Sequence, residues 1–242
     1  MKQLAKWFLV AAFAVVAAGG AQAQRQPGGG MMRAPTPLQV ILLTNEVLQK
    51  ELAVTDDQKK ALKEPMDKAA ELTKKMQDLR TPGAQPDQAK MQEMLKEMTA
   101  FNDEVKTKVD KSLDDKQKKR MKQIEVQMMG MGAFSNEEVV KSLKITDDQK
   151  TKFKTVADDF AKERGDLQKE YGMGGRPMQG AARPDPEKVA EYTKKLKTLT
   201  GDSFAKAAKE LTADQSKNWK EMVGETFDVS KLTQGRPMRR DN

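Results

Sequence analysis

Histidine and cysteine are both absent from the 242 residues of this chain. Histidine is the usual general base and the usual partner of a serine or cysteine nucleophile, so a Ser-His-Asp arrangement cannot be assembled. With neither residue, a zinc site cannot be built either. No disulfide can form, so the fold must rest on its core or on association. Aromatic residues make up only 5% of the chain. β-branched residues are also sparse, and the alternating pattern of half-buried strands is missing.

The one long apolar run is at the start. Lys2 and Lys6 precede Trp7 to Ala18, and Ala21-Gln22-Ala23 follows as a small-x-small site. Together these predict a secretory signal peptide over residues 1–23, cut between Ala23 and Gln24. The run is too short for a permanent transmembrane helix, and no cysteine follows it to carry a lipid. The mature chain is therefore expected to be periplasmic or secreted, without stable membrane insertion. Its net charge of +8 comes from interleaved signs, as in KKALKEPMDKAAELTKKMQDLR, which is the pattern of a solvated helix surface. A nucleic-acid partner is not expected.

A phrase recurs instead. VTDDQKKALKE begins at Val54 and ITDDQKTKFKT at Ile145, 91 residues later; LDDKQKKRMKQ begins at Leu113 and LTADQSKNWKE at Leu211, 98 residues later. The difference of seven falls in a Gly/Pro stretch, where loop-closure entropy makes an insertion cheap. Two homologous units follow, at 36–130 and 134–229. Each phrase is a helix start. Thr55 with Gln58, Thr146 with Gln149 and Thr212 with Gln215 form capping boxes, and Asp114 with Gln117 does the same with a carboxylate. Aspartates in the first turn suit the positive end of the helix dipole. Seven residues after each cap stand Leu62, Met121, Phe153 and Trp219, which predicts that the same helix face turns to the core each time. Further starts are read at Thr36-Pro37-Leu38-Gln39, at Ser135 with Glu138, and at Asp185-Pro186. Pro65 is expected to kink the first long helix.

The spacing is helical nearly everywhere, for example Met91, Met94, Met98, Phe101, Val105 and Val109. The expected fold is all-α: two tandem four-helix units, built from helical hairpins, packed as a pseudo-twofold curved bundle. Residues 24–35 and the basic stretch 230–242 read as unstructured.

Leu211-Thr212-Ala213-Asp214-Gln215 fits the LTxxQ pattern, with Val54 to Gln58 and Ile145 to Gln149 close to it and Asp114 replacing Thr in the copy from Leu113 to Gln117. In this the chain resembles the Spy/CpxP family of exported helical bacterial proteins, in two tandem copies. The resemblance implies a curved periplasmic cradle and an ATP-independent, chaperone-like role toward unfolded envelope proteins. The alternative it implies is a structural or stress-sensing module that binds one defined protein partner. Carrying both units in one chain implies a monomer with an internal pseudo-dimer, or a weak homo-oligomer. An enzyme and a bound cofactor are not expected, since adjacent aspartates on a helix point in different directions and lack the spacing of a calcium loop.

Methionine is plentiful, at 16 residues. Met121, Met128, Met129 and Met131 gather near the junction of the units. Flexible thioethers suit a surface that adapts to many apolar partners, which makes these four the candidate client-binding residues. Met128, Met129 and Met131 also carry a weaker copper(I) reading, because thioethers are soft ligands.

Overall fold

A computed structural model describes residues 36–79, 88–173 and 185–232. The expected signal peptide, the stretch 24–35 and the Gly/Pro insertion lie outside these residues. Among the described residues there is no strand, and the chain is all-α. The helices run α1 (Leu38–Thr44), α2 (Glu46–Glu51), α3 (Asp56–Ala61), α4 (Lys63–Asp78), α5 (Gln88–Ser112), α6 (Asp115–Met129), α7 (Glu137–Leu143), α8 (Asp147–Glu170), α9 (Pro186–Lys209) and α10 (Ala213–Val223), with 3-10 turns at Gly130–Ser135 and Val229–Leu232.

The described chain divides into a leading unit, 36–122 with 231–232, and a trailing unit, 123–230. The division falls inside α6, between Lys122 and Gln123, and so earlier than the boundary of the sequence repeat. Later residues of α6 belong to the trailing unit for a physical reason. Val126 is part of that unit's core. The buried Gln127 amide donates to the carbonyls of Val223 (2.7 Å) and Glu225 (2.8 Å) and accepts from the Phe227 amide (2.8 Å).

Helix starts follow the caps. Thr55, Thr146 and Thr212 each form the complete capping box with the glutamine three residues on. Asp114 and Gln117 exchange the equivalent pair of bonds at 2.8 and 2.9 Å. Asp185 caps α9 with Pro186 at its first turn. Two expected starts are corrected. α1 begins after Pro37, whose ψ of 145° is extended and not helical, and it has no side-chain cap bond. α7 is capped by Asn136, not Ser135, because the chain arrives through a 3-10 turn that ends on Ser135. Asn45 caps α2 in the same way, 91 residues earlier.

Both short helices then end alike. Ala53 and Lys144 adopt the left-handed conformation at φ 49° and 52°. The next amide reaches back five residues, Val54 to Gln49 at 2.9 Å and Ile145 to Val140 at 3.0 Å. This is the Schellman ending, here without glycine.

Pro65 does more than bend its helix. It has no N–H for the Ala61 carbonyl and its ring crowds that carbonyl, so the helix stops at Ala61 and restarts at Lys63, with Leu62 between them at φ −92°, ψ 0°. Val156 holds the equivalent place in α8, which runs 24 residues unbroken.

Leu62, Met121, Phe153 and Trp219 are all buried. In the trailing core Phe134 lies between two of them, its ring centroid 4.5 Å from Phe153 and 4.6 Å from Trp219 in stacked geometry. In the leading unit α1 is an apolar helix with Leu38, Leu42 and Leu43 buried, against the stripe Phe101, Val105 and Val109 of α5. Residues 230–232, expected in an unstructured tail, are instead ordered. Leu232 is buried, and the Asn45 amide donates to the carbonyls of Lys231 (3.1 Å) and Leu232 (3.4 Å).

Candidate functional site

The capping glutamines do a second task. In the leading unit Gln58 Oε1 accepts from the Thr55 amide, while its Nε2 donates to the Ser112 carbonyl (2.8 Å) and to Gln117 Oε1 (2.7 Å). Gln117 Nε2 donates back to Gln58 Oε1 (3.0 Å) and to the carbonyls of Leu52 and Ala53. In the trailing unit Gln149 Nε2 donates to the Glu210 carbonyl (2.6 Å) and to Gln215 Oε1 (2.7 Å). Gln215 Nε2 donates to Gln149 Oε1 (2.9 Å) and to the Lys144 carbonyl (3.3 Å). The backbone acceptors stand at the same offsets as the sequence phrases: Ala53 and Lys144 are 91 apart, Ser112 and Glu210 are 98 apart.

Each pair therefore locks two helix starts and two helix ends at one joint. Gln117 and Gln215 are buried and Gln58 and Gln149 half-buried, so the amides exchange bonds where water competes poorly. No buried side-chain polar atom among the described residues lacks a partner. Thr55, Asp114, Thr146 and Thr212 are exposed at the rim. All eight predicted cap residues thus come together, four in each unit. What spacing alone missed is that the glutamines of the two phrases bind each other. The only signal for it is that the phrases occur in pairs.

From each joint a long antiparallel hairpin extends, α4 with α5 and α8 with α9. Ion pairs join α4 to α5 at Lys108–Glu64 (2.6 Å), Lys68–Glu104 (2.6 Å) and Lys75–Glu97 (2.8 Å). Four residues on α4 match four on α5, and seven match seven, as antiparallel register requires. Lys68 and then Lys108 hold the Glu104 carboxyl below the usual carboxylate range, and Glu64 and Glu104 hold the Lys108 amine above the usual lysine range. In α8–α9 the pairs are Lys152–Glu210 (2.6 Å) and Lys195–Glu170 (2.9 Å), and the Lys195 nitrogen also lies 4.8 Å from the centre of the Tyr171 ring.

The hairpins leave much apolar surface half-covered. Phe153 is the only buried side chain of α8, while Val156, Phe160 and Leu167 farther along are half-buried. A groove of about 520 Å³ on the trailing hairpin, lined by Leu199 and Thr198 among charged residues such as Glu163 and Asp202, is open and shallow.

The four candidate client-binding methionines do not form a surface. Met121 and Met131 are buried, the first because it occupies the core position seven residues after Asp114, the second because the 3-10 turn carries it into the trailing core. Met129 packs half-buried against that core, and only Met128 is exposed, at 39%. Among the described residues no group of three His, Cys, Asp or Glu side chains is placed to hold a metal, and no helix is long and apolar enough to cross a membrane. Comparisons of the chain with family models, with curated proteins and with solved structures find no match.

Proposed function

We propose that this chain is an exported, non-enzymatic, ATP-independent binding protein that holds unfolded envelope proteins, acting as a monomer whose duplicated halves replace a dimer. The observation that carries this reading is α8, a helix of 24 residues with one buried side chain. Its half-buried Val156, Phe160 and Leu167 offer partial apolar contact between lysines, which suits weak and adaptable binding of clients of varied sequence. Exposed Leu95 on α5 and Val189 on α9 extend the same character to the partner helices of the two hairpins. The paired LTxxQ-like caps and the apolar leader add the Spy/CpxP-like resemblance as support. The test is aggregation of a chemically denatured model protein, followed by light scattering, with the mature chain at near-stoichiometric ratio. Delay is expected, and scattering unchanged by the added chain ends the proposal.

The burial of Met121 and Met131 favours a second reading, a rigid helical module in envelope maintenance or stress sensing with one protein partner. That reading expects one saturable partner in pull-down and no general effect on aggregation.

A further inference from the structure

The duplication supplies an internal control for methionine. Met66 and Met76 lie on α4, and Met91, Met94 and Met98 on α5. At the equivalent places the trailing hairpin has Ala157, Leu167, Val189, Tyr192 and Leu196, and neither α8 nor α9 contains a methionine. Two hairpins of the same lineage thus form their seams with different chemistry, so packing alone does not require the thioethers.

Position along the seam matters as well. Phe101, Val105 and Val109 at the inner end of the α5 stripe are fully buried, whereas Met91 and Met98 nearer its outer end are half-buried, with Met94 buried between them. Lys75–Glu97 sets the register, which brings Met76 level with the stretch from Met94 to Met98. Met76, Met91 and Met98 are half-buried, as is Met66 nearer the joint, so a small oxidant reaches their thioethers while part of each side chain stays covered. Toward the joint the hairpin is also held by buried Leu72 on α4 and by the Lys68 nitrogen over the Phe101 ring, whereas the tie nearest its outer end is the exposed ion pair Lys75–Glu97, which contributes little to stability. Cysteine is absent, so no thiol competes for the oxidant.

We propose that Met76, Met91 and Met98 are an oxidation site, and that their conversion to sulfoxides loosens the α4–α5 hairpin while α8–α9 stays closed. In the step with hydrogen peroxide the thioether sulfur attacks one peroxide oxygen. An S–O bond forms, the O–O bond breaks, and the departing hydroxide takes the proton of the transferred oxygen and leaves as water. Sulfur is oxidised by two electrons and peroxide is reduced. The product is a polar sulfoxide where the seam had an apolar side chain, and burying it without a hydrogen-bond donor opposes closure. The loosening exposes the inner stripe from Phe101 onward.

The experiment uses the full mature chain and hydrogen peroxide, with peptide mass mapping to locate the added oxygen and amide hydrogen exchange as readout. Sulfoxide is expected at the half-buried Met66, Met76, Met91 and Met98 and the exposed Met128 before Met94, Met121 and Met131. Exchange in α4 and α5 should then rise about tenfold while α8 and α9 stay unchanged, and methionine sulfoxide reductase should reverse the rise. The variant M76L/M91L/M98L should keep its protection in peroxide. Should that variant fail to fold, L167M/L196M serves instead and should make the trailing hairpin peroxide-sensitive. The proposal is overturned if peroxide leaves these three methionines unmodified, if they oxidise without a change in α4–α5 exchange, or if both hairpins of the natural chain loosen alike.

Discussion

Gln149 and Gln215 exchange two side-chain hydrogen bonds, at 2.7 and 2.9 Å, and each also receives the amide N–H of the threonine that begins its helix. The joint depends on each glutamine being donor and acceptor at once. Replacement of Gln215 by alanine takes one acceptor from the half-buried Gln149 amide, which keeps the Glu210 carbonyl, and removes the donor to the Lys144 carbonyl and the acceptor of the Thr212 amide. The expected loss is about 2–3 kcal/mol, read as a lower urea midpoint. Gln215→Glu keeps the acceptor for the Thr212 amide but not the donors, so it should also destabilise at neutral pH and recover part of the loss when the carboxyl is protonated.

Gly224 adopts φ +62°, ψ −153°, and a Cβ there would overlap the end of the Gln123 side chain. Gln123 is itself held by the Glu221 carbonyl at 3.0 Å. Gly224→Ala is expected to cost about 2–3 kcal/mol. Gly130, also at positive φ but with open space around it, should cost about 1 kcal/mol on the same change. Thermal melts of the two variants side by side check the difference.

Ala53 and Lys144 occupy the left-handed position that usually belongs to glycine. Ala53→Gly and Lys144→Gly should each stabilise by up to about 1 kcal/mol, since the steric cost of a Cβ there is removed. Equilibrium denaturation of both single variants and of the double one is the measurement, with additivity expected because each lies in its own unit.

Phe134, between Phe153 and Trp219, should be the costliest single truncation in the trailing core. Phe134→Ala removes both stacked contacts and leaves a cavity, at about 3–5 kcal/mol. A lost near-ultraviolet signal from Trp219 accompanies it.

Acid should weaken the leading hairpin through Glu104. Its folded pKa lies below the unfolded one because Lys68 and Lys108 bind the carboxylate. The contribution is therefore full above the unfolded pKa, near pH 4, and is lost as pH falls through the folded value. Glu104→Gln should flatten this acid limb in urea titrations taken from pH 7 downward, with little change in the trailing unit.

What the sequence makes legible follows the range of the interaction. A capping box joins residues three apart, so the helix starts at Thr55, Asp114, Thr146 and Thr212 can be read by eye, and the positions seven residues on are buried as the pattern implies. Thr36 and Ser135 fit the same local rule and lose to their surroundings: Pro37 is extended, and a 3-10 turn delivers Asn136 to the cap. The bond between Gln58 and Gln117 spans 59 residues, and nothing in either phrase encodes it apart from the pairing of the phrases. Methionine misleads for a related reason. An unbranched thioether serves a core gap and an open surface equally well, so composition could not place Met131 inside, and for Met121 it pointed away from the core that the cap spacing indicated.

Asn45 and Leu232 set a constraint on synthesis. A ribosome releases α2 well before the Val229–Leu232 turn, with the trailing unit made between them, yet carbonyls of that turn accept from the Asn45 amide, and Leu232 is buried in the unit that holds α2. The half made first thus stays open until the other half has been synthesised.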